Sequence, residues 1–143
     1  MIIDNYNEFF DGVAIPTSAG TALLGDVIDL SNVRDIGNGQ PLYWYASVDV
    51  AGAGGTSVNL QLCSSDSANL SSPTIHAQSG VIALANITAG KMLVMVPVPL
   101  EGLVYKRYLG IQAVVVGTFT GGNISSGLTL DPRGIKAYPA EPG

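Results

Sequence analysis

The sequence predicts an all-β domain, and three observations carry that prediction. Apolar and polar residues alternate with period two along several stretches. The apolar runs are short, seven or eight in number, and separated by Gly, Pro and Ser-rich turns. Glycine supplies 18 of the 143 residues, which suits many tight turns that need a positive φ. Sustained helical periodicity is absent. The nearest approach is Ile3 to Phe10, where Tyr6, Phe9 and Phe10 are offset by three and four residues, too short to be stable alone. The expected architecture is a jelly-roll-like antiparallel β-sandwich with an extended N-terminal arm. Residues 1–12 form the arm, which must dock on something apolar. Residues 13–143 form one domain that includes a C-terminal tail, with no internal repeat or linker.

Taken in order, Val27, Ile28 and Leu30 make a short strand before the Asn38-Gly39 turn. From Leu42 to Val50, Leu42, Trp44, Ala46, Val48 and Val50 share one face, and Tyr43, Tyr45, Ser47 and Asp49 share the other. The spacing predicts Trp44 in the core and leaves Tyr43 and Tyr45 as surface residues suited to a protein interface. Gly52-Ala53-Gly54-Gly55 is expected to be a hairpin tip leading into the strand Val58 to Cys63. Pro73 to Leu84 contains a further strand. Lys91 to Val98 is apolar on both faces, with Leu93 and Met95 opposite Met92, Val94 and Val96. Such a strand is expected to face the core on one side and a partner or the arm on the other, with Pro97 and Pro99 placing it at a sheet edge. Tyr108 to Val116 is another strand, Gly121-Gly122-Asn123 a turn, and Ser126 to Leu130 a last strand with Leu128 and Leu130 inward. The tail after Asp131 is expected to be extended and surface-bound.

Composition narrows the function. Charged residues are only 12% of the chain and apolar residues 47%, where a soluble domain has about 25% charged. Low charge with high apolarity suits a subunit covered by other chains. Net charge is −5, with six basic residues and one basic pair, Lys106-Arg107; phosphate binding needs several clustered cations, so no nucleic-acid partner is expected. The most apolar window, Met92 to Leu100, is too short to cross a bilayer as a helix, and no membrane partner is expected. The N-terminus lacks the charged and apolar regions of a signal peptide, which points to synthesis in a cytoplasm.

Reactive chemistry is sparse. His76 and Cys63 are the only residues of their kinds. A nucleophile pair would need the fold to bring them together, and an inert thiol and a satisfied polar histidine are the expected readings. Asp26, Asp29 and Asp35 do not have the spacing of a calcium loop, and the carboxylates Asp49 and Asp66 have nothing in the sequence that pairs them. Gly52 to Ser57 lacks the Gly-Lys-Ser/Thr ending of a phosphate loop. No catalytic residue, metal or cofactor is expected.

A set of blocks adds to this reading. Ile28-Asp29-Leu30, then Arg34-Asp35-Ile36-Gly37-x-Gly39-x-Pro41-Leu42-Tyr43, resembles the small capsid cement (decoration) proteins of tailed phages, of the Bordetella-phage type. Gln61-Leu62-x-x-Ser65-Asp66, Ala89-Gly90 before Lys91, Arg107-Tyr108-Leu109 and Gly127-Leu128-x-Leu130-Asp131 look similar and follow the same order, from about Ile3 to Tyr138. The resemblance implies a jelly-roll-like sandwich that forms a homodimer, binds the outside of an icosahedral capsid in the virion and clamps neighbouring major capsid protein subunits without catalysis. The interface candidates are Tyr6, Phe9, Phe10, Tyr43, Tyr45, Leu93 and Met95. The alternative is a jelly-roll carbohydrate-binding module, with Tyr43 and Tyr45 as a sugar platform; a β-scaffold hydrolase built on His76 is a third reading.

Overall fold

The structure is a computed structural model that describes residues 8–31, 42–99 and 104–130. Tyr6 and the rest of residues 1–7, the Asn38-Gly39 turn, Asp35 and the tail after Leu130 lie outside the described residues. Seven strands are present: β1 (Glu8–Ala14), β2 (Gly20–Asp29), β3 (Tyr43–Ser65), β4 (Thr74–Gln78), β5 (Ile82–Ala83), β6 (Met92–Pro97) and β7 (Tyr108–Thr129). A 3-10 turn, Leu84–Asn86, follows β5. The chain is all-β, and its strands join one open antiparallel sheet.

Two strands are far longer than the sequence pattern predicts. β3 spans 23 residues and β7 spans 22. They pair along their whole length, from Tyr43 opposite Thr129 to Ser65 opposite Tyr108. The Gly52–Gly55 cluster is therefore not a hairpin tip, and Gly121-Gly122 is not a turn between strands. Both are corners inside continuous strands. The register slips repeatedly there, and β7 spends the four steps from Gly121 to Gly117 while β3 takes two, from Ala53 to Gly55. Such bulges bend a strand and increase its twist. They also move Val50 out of the face shared by Trp44 and Val48, leaving it 53% exposed.

The corner divides the sheet into two limbs. In the first, β1 and β6 flank residues 43–50 of β3 and 123–129 of β7. In the second, β2 and the pair β4 and β5 flank residues 57–65 of β3 and 108–116 of β7. Both limbs feed one core: Trp44, Ala46, Val48, Val94, Ile124 and Leu128 from the first, and Leu24, Val58, Leu60, Leu62, Leu109, Ile111, Ala113 and Val115 from the second. Each fully buried side chain of this size contributes roughly 1.5–3 kcal/mol. The limbs also meet directly, since a Cβ on Gly25 of β2 would lie 2.5 Å from Cβ of Phe10 in β1. Trp44 is fully buried as the alternation predicts, and its indole N–H donates to Ser126 Oγ at 2.9 Å. Ser126 Oγ in turn donates to the Tyr45 carbonyl at 2.7 Å. Leu128 is buried, but Leu130 lies past the last strand pair and is 61% exposed.

Residues 8–12 are not part of a free arm. They belong to β1, which pairs with β7. Phe9 and Phe10 are buried in the core, 1% and 5% exposed. Their burial follows from β-pairing with a strand more than a hundred residues away, which no local pattern announces.

The corner rests on a close approach. Gly55 is buried against the ring of Phe119, and any Cβ there would enter that ring. Gly117 has φ 85°, and a Cβ on it would lie 2.8 Å from the Thr56 backbone nitrogen. Gly55→Ala is expected to destabilise the protein by about 1–3 kcal/mol through overpacking. Gly121→Ala, at the same corner but with Ala53 Cβ at an ordinary 3.6 Å, is expected to stay within about 0.5 kcal/mol of wild type. Urea unfolding of the two variants checks the difference.

Candidate interaction surface

The face of the first limb opposite Trp44 carries three of the seven predicted contact residues, Tyr43, Tyr45 and Met95. Strand alternation puts Tyr43 and Tyr45 there. Tyr45 lies opposite Gly127 on one side and Met95 on the other, and Gly127 also pairs with Glu8. Gly127 puts no side chain between Tyr45 and Glu8. Tyr43 lies opposite Thr129 and Pro97. The structure thus brings Tyr45 and Met95 together, and sets Tyr43 one step along.

These residues differ in accessibility. Tyr45 is 2% exposed, against the expectation of an outward surface ring, whereas Tyr43 and Met95 are half-buried. Leu93 is half-buried and packs on the core. It falls at the register shift where β6 goes from Val94 opposite Ala46 to Met92 opposite Ser47. Phe9 and Phe10 are core residues and leave the list of accessible contacts. Tyr6 lies outside the described residues.

Acidic groups surround the Tyr45 hydroxyl. Burial pushes its pKa up to about 12, and the carboxylates of Glu8, Asp11 and Asp49 add to the rise. The phenol is therefore a neutral hydrogen-bond donor at any physiological pH. Ser125 ties two of these carboxylates together. Its Oγ accepts the Gly12 N–H at 2.9 Å, lies 2.5 Å from Asp49 Oδ2 and 3.1 Å from Asp11 Oδ1. A hydroxyl has one proton to give, so it donates to one carboxylate at a time. Sequence reasoning passed over Ser125 and Asp11, because only the β1–β7–β3 pairing brings them to Asp49.

The second limb holds the reactive residues. Ser64 Oγ lies 2.6 Å from His76 Nε2 and accepts the Lys106 backbone N–H at 3.0 Å. A hydroxyl can donate one hydrogen bond and accept two, so the Ser64–His76 contact is compatible with either imidazole tautomer. The His76 ring stacks on Tyr105, centroids 3.9 Å apart. Nδ1 is buried with no hydrogen-bond partner among the described residues. So the fold joins His76 to Ser64, not to Cys63. Ser64 is fully buried, and no carboxylate holds Nδ1 as a hydrolase triad requires.

Cys63 sits opposite Ile75 and Gly110, with its thiol 3.8 Å from Gln112 Oε1. Burial pushes the thiol pKa up to about 11. At the far end of this limb, Arg107 grips Asp29 with two N–H···O bonds of 2.9 Å and lies over the Tyr108 ring. Asp29 is thereby committed to an ion pair. Among the described residues, no three His, Cys, Asp or Glu side chains converge as a metal site would need.

Two outcomes follow. At pH 7.5 a thiol reagent is expected to label native Cys63 at the rate of structural opening, far slower than in urea-unfolded protein, since the thiolate is both scarce and enclosed. Timed labelling read by mass spectrometry checks this. The Arg107 ion pair and the Ser31 N–H hold the Asp29 carboxyl at about 2, down from 3.8. Its contribution to stability is present above pH 3.8 and lost as pH falls from there toward about 2. Asp29→Asn is expected to flatten the acid unfolding curve over that window only.

No curated protein matches the chain. The family model that does match is Bbp16, over residues 9–128. The match runs from Phe9 in β1 to Leu128 in β7 and so takes in both limbs, the corner and the outer face that carries Tyr43 and Tyr45. On that evidence the chain belongs to the Bbp16 family, a Bordetella phage protein family.

Proposed function

We propose that this chain is a capsid cement protein, a non-enzymatic structural component that binds the outer surface of an icosahedral phage shell and strengthens contacts between major capsid protein subunits. The observation that carries the reading is the Bbp16 match across nearly the whole described sheet. Composition supports it, because a chain with 12% charged residues and net charge −5 is suited to protein contacts and poorly suited to packaged DNA. The absence of catalysis is part of the proposal, supported by the full burial of Ser64 beside His76.

The contact surface in this reading is the outer face of the first limb, with Tyr43 and Met95 as its half-buried apolar members and Glu8, Asp11 and Asp49 as its acidic ones. Strand addition at a sheet edge is the less favoured mode. β1, β2 and β6 each show a register shift against their neighbour, β6 also ends at Pro97, and β4 has only five residues. Interrupted and short edges are poor templates for a partner strand. Dimerisation is likewise part of the proposal, and repetition over many shell positions would let modest contacts reinforce one another. The carbohydrate-binding alternative loses its platform, because Tyr45 is 2% exposed and only Tyr43 stays half-open.

Purified protein is expected to co-sediment at a fixed stoichiometry with expanded capsids that lack it and to raise their heat resistance. Capsids that neither bind it nor gain resistance would overturn the proposal. Light scattering of the isolated protein tests the dimer. Tyr43→Ser is expected to weaken capsid binding roughly 5- to 30-fold, a loss of about 1–2 kcal/mol, with little change in unfolding midpoint. Deleting residues 1–10 is not an equivalent probe, since it removes Phe9 and Phe10 from the core, where each Phe-to-Ala loss alone costs about 3–5 kcal/mol.

A further inference from the structure

The Ser64–His76–Tyr105 cluster has no part in the proposed docking face, yet it fastens three pieces of chain. His76 comes from β4, Ser64 from the last turn of pairing in β3, and Tyr105 and Lys106 from the segment entering β7. Ser64 Oγ is the joint: it accepts the Lys106 N–H at 3.0 Å and shares a hydrogen bond of 2.6 Å with His76 Nε2. Tyr105 closes the other side of the imidazole by stacking, and its hydroxyl is itself held, donating to the Pro99 carbonyl at 2.5 Å.

Nδ1 is buried with no hydrogen-bond partner among the described residues. Protonating the ring puts a proton on both nitrogens, and so leaves a cationic N–H at Nδ1 buried and unpaired, whichever nitrogen carries the proton of the neutral form. None of the groups that these contacts place against the ring is a carboxylate. β3 presents the Ser64 hydroxyl and the 104–107 segment presents the Tyr105 ring and the Lys106 backbone; the Lys106 ammonium, itself a cation, is turned to Asp66 at 3.9 Å. Burial is what lowers the proton affinity of His76, and no carboxylate opposes it.

We propose that this cluster is an acid-released latch: neutral His76 pins β4 and the 104–107 segment to the end of β3, and its protonation frees them while the first limb stays folded. The sign follows from linkage. A histidine held below its ordinary value of 6.5 gives full stability above that pH and loses it as pH falls, because the opened chain takes up the proton first. The opening constant should rise about tenfold per pH unit between the opened and closed values. The latch is independent of the capsid reading and stands or falls on the isolated protein.

His76 is the sole histidine, so its ring resonances in the NMR spectrum of the wild-type protein need no assignment. Their titration is expected to have a midpoint below 6.5. Over the same range, amide exchange corrected for the intrinsic rate should accelerate at 74–78 and at Lys106, and stay unchanged at Trp44 to Val48. A midpoint at or above 6.5, or protection at 74–78 that is indifferent to pH, would overturn the proposal. His76→Gln keeps an acceptor for Ser64 without titrating and should abolish the pH dependence of exchange. Should that variant not fold, the ring midpoint and the exchange at 74–78 in the wild-type protein decide the proposal by themselves.

Discussion

β3 and β7 pair with each other over their full lengths, and every other strand in the described sheet hydrogen-bonds to one of these two. β1 and β2 have β7 as their neighbour; β4, β5 and β6 have β3. The long ribbon therefore sets where everything else can go. Its bend at Gly52–Gly55 and Gly117–Gly122 lets one sheet present two limbs to a single core. Small residues at the bend are a steric necessity, since Phe119 fills the space that a side chain on Gly55 would need. An 18-glycine chain of low charge is in this sense a chain built around one corner.

The two limbs spend their polar residues differently. The outer side of the first limb gathers Glu8, Asp11 and Asp49 around Tyr45 and Ser125. The described lysines and arginine each have a polar partner: Lys91 with Asn86, Lys106 with Asp66, Arg107 with Asp29. Exposed pairs of this kind add little stability. The second limb instead carries neutral amides, with Asn59 and Gln61 donating to Gln78. A limb whose outer side is acidic and aromatic, and another whose outer side is rich in amides, are chemically distinct.

Much of the strand content was legible because alternation is local. Trp44, Ala46 and Val48 announce a buried face within five residues, and Leu60 and Leu62 do the same. The corner was not legible, since a glycine cluster between two apolar runs has the same local signature whether the chain reverses there or bends and continues. Only the pairing with β7 on both sides distinguishes the two. Phe9 and Phe10 were assigned to an arm for the same reason: their neighbours come from the other end of the chain. Tyr45 was placed correctly on the face opposite Trp44, but periodicity reports a face, not its cover. The Ser64–His76 contact depends on a register shift between Leu62 and Cys63, which sequence spacing does not encode.

β7 lies last among the described strands, yet it is the sole hydrogen-bonded neighbour of β1 and β2 and the lengthwise partner of β3. During synthesis on a ribosome, the first two strands must wait for it as apolar, unpaired segments. Pairings such as Glu8 with Gly127 belong to the long-range class that slows folding and prolongs the exposure of sticky intermediates. The vulnerable interval of this fold thus falls during its own making, before β7 is there to close the sheet.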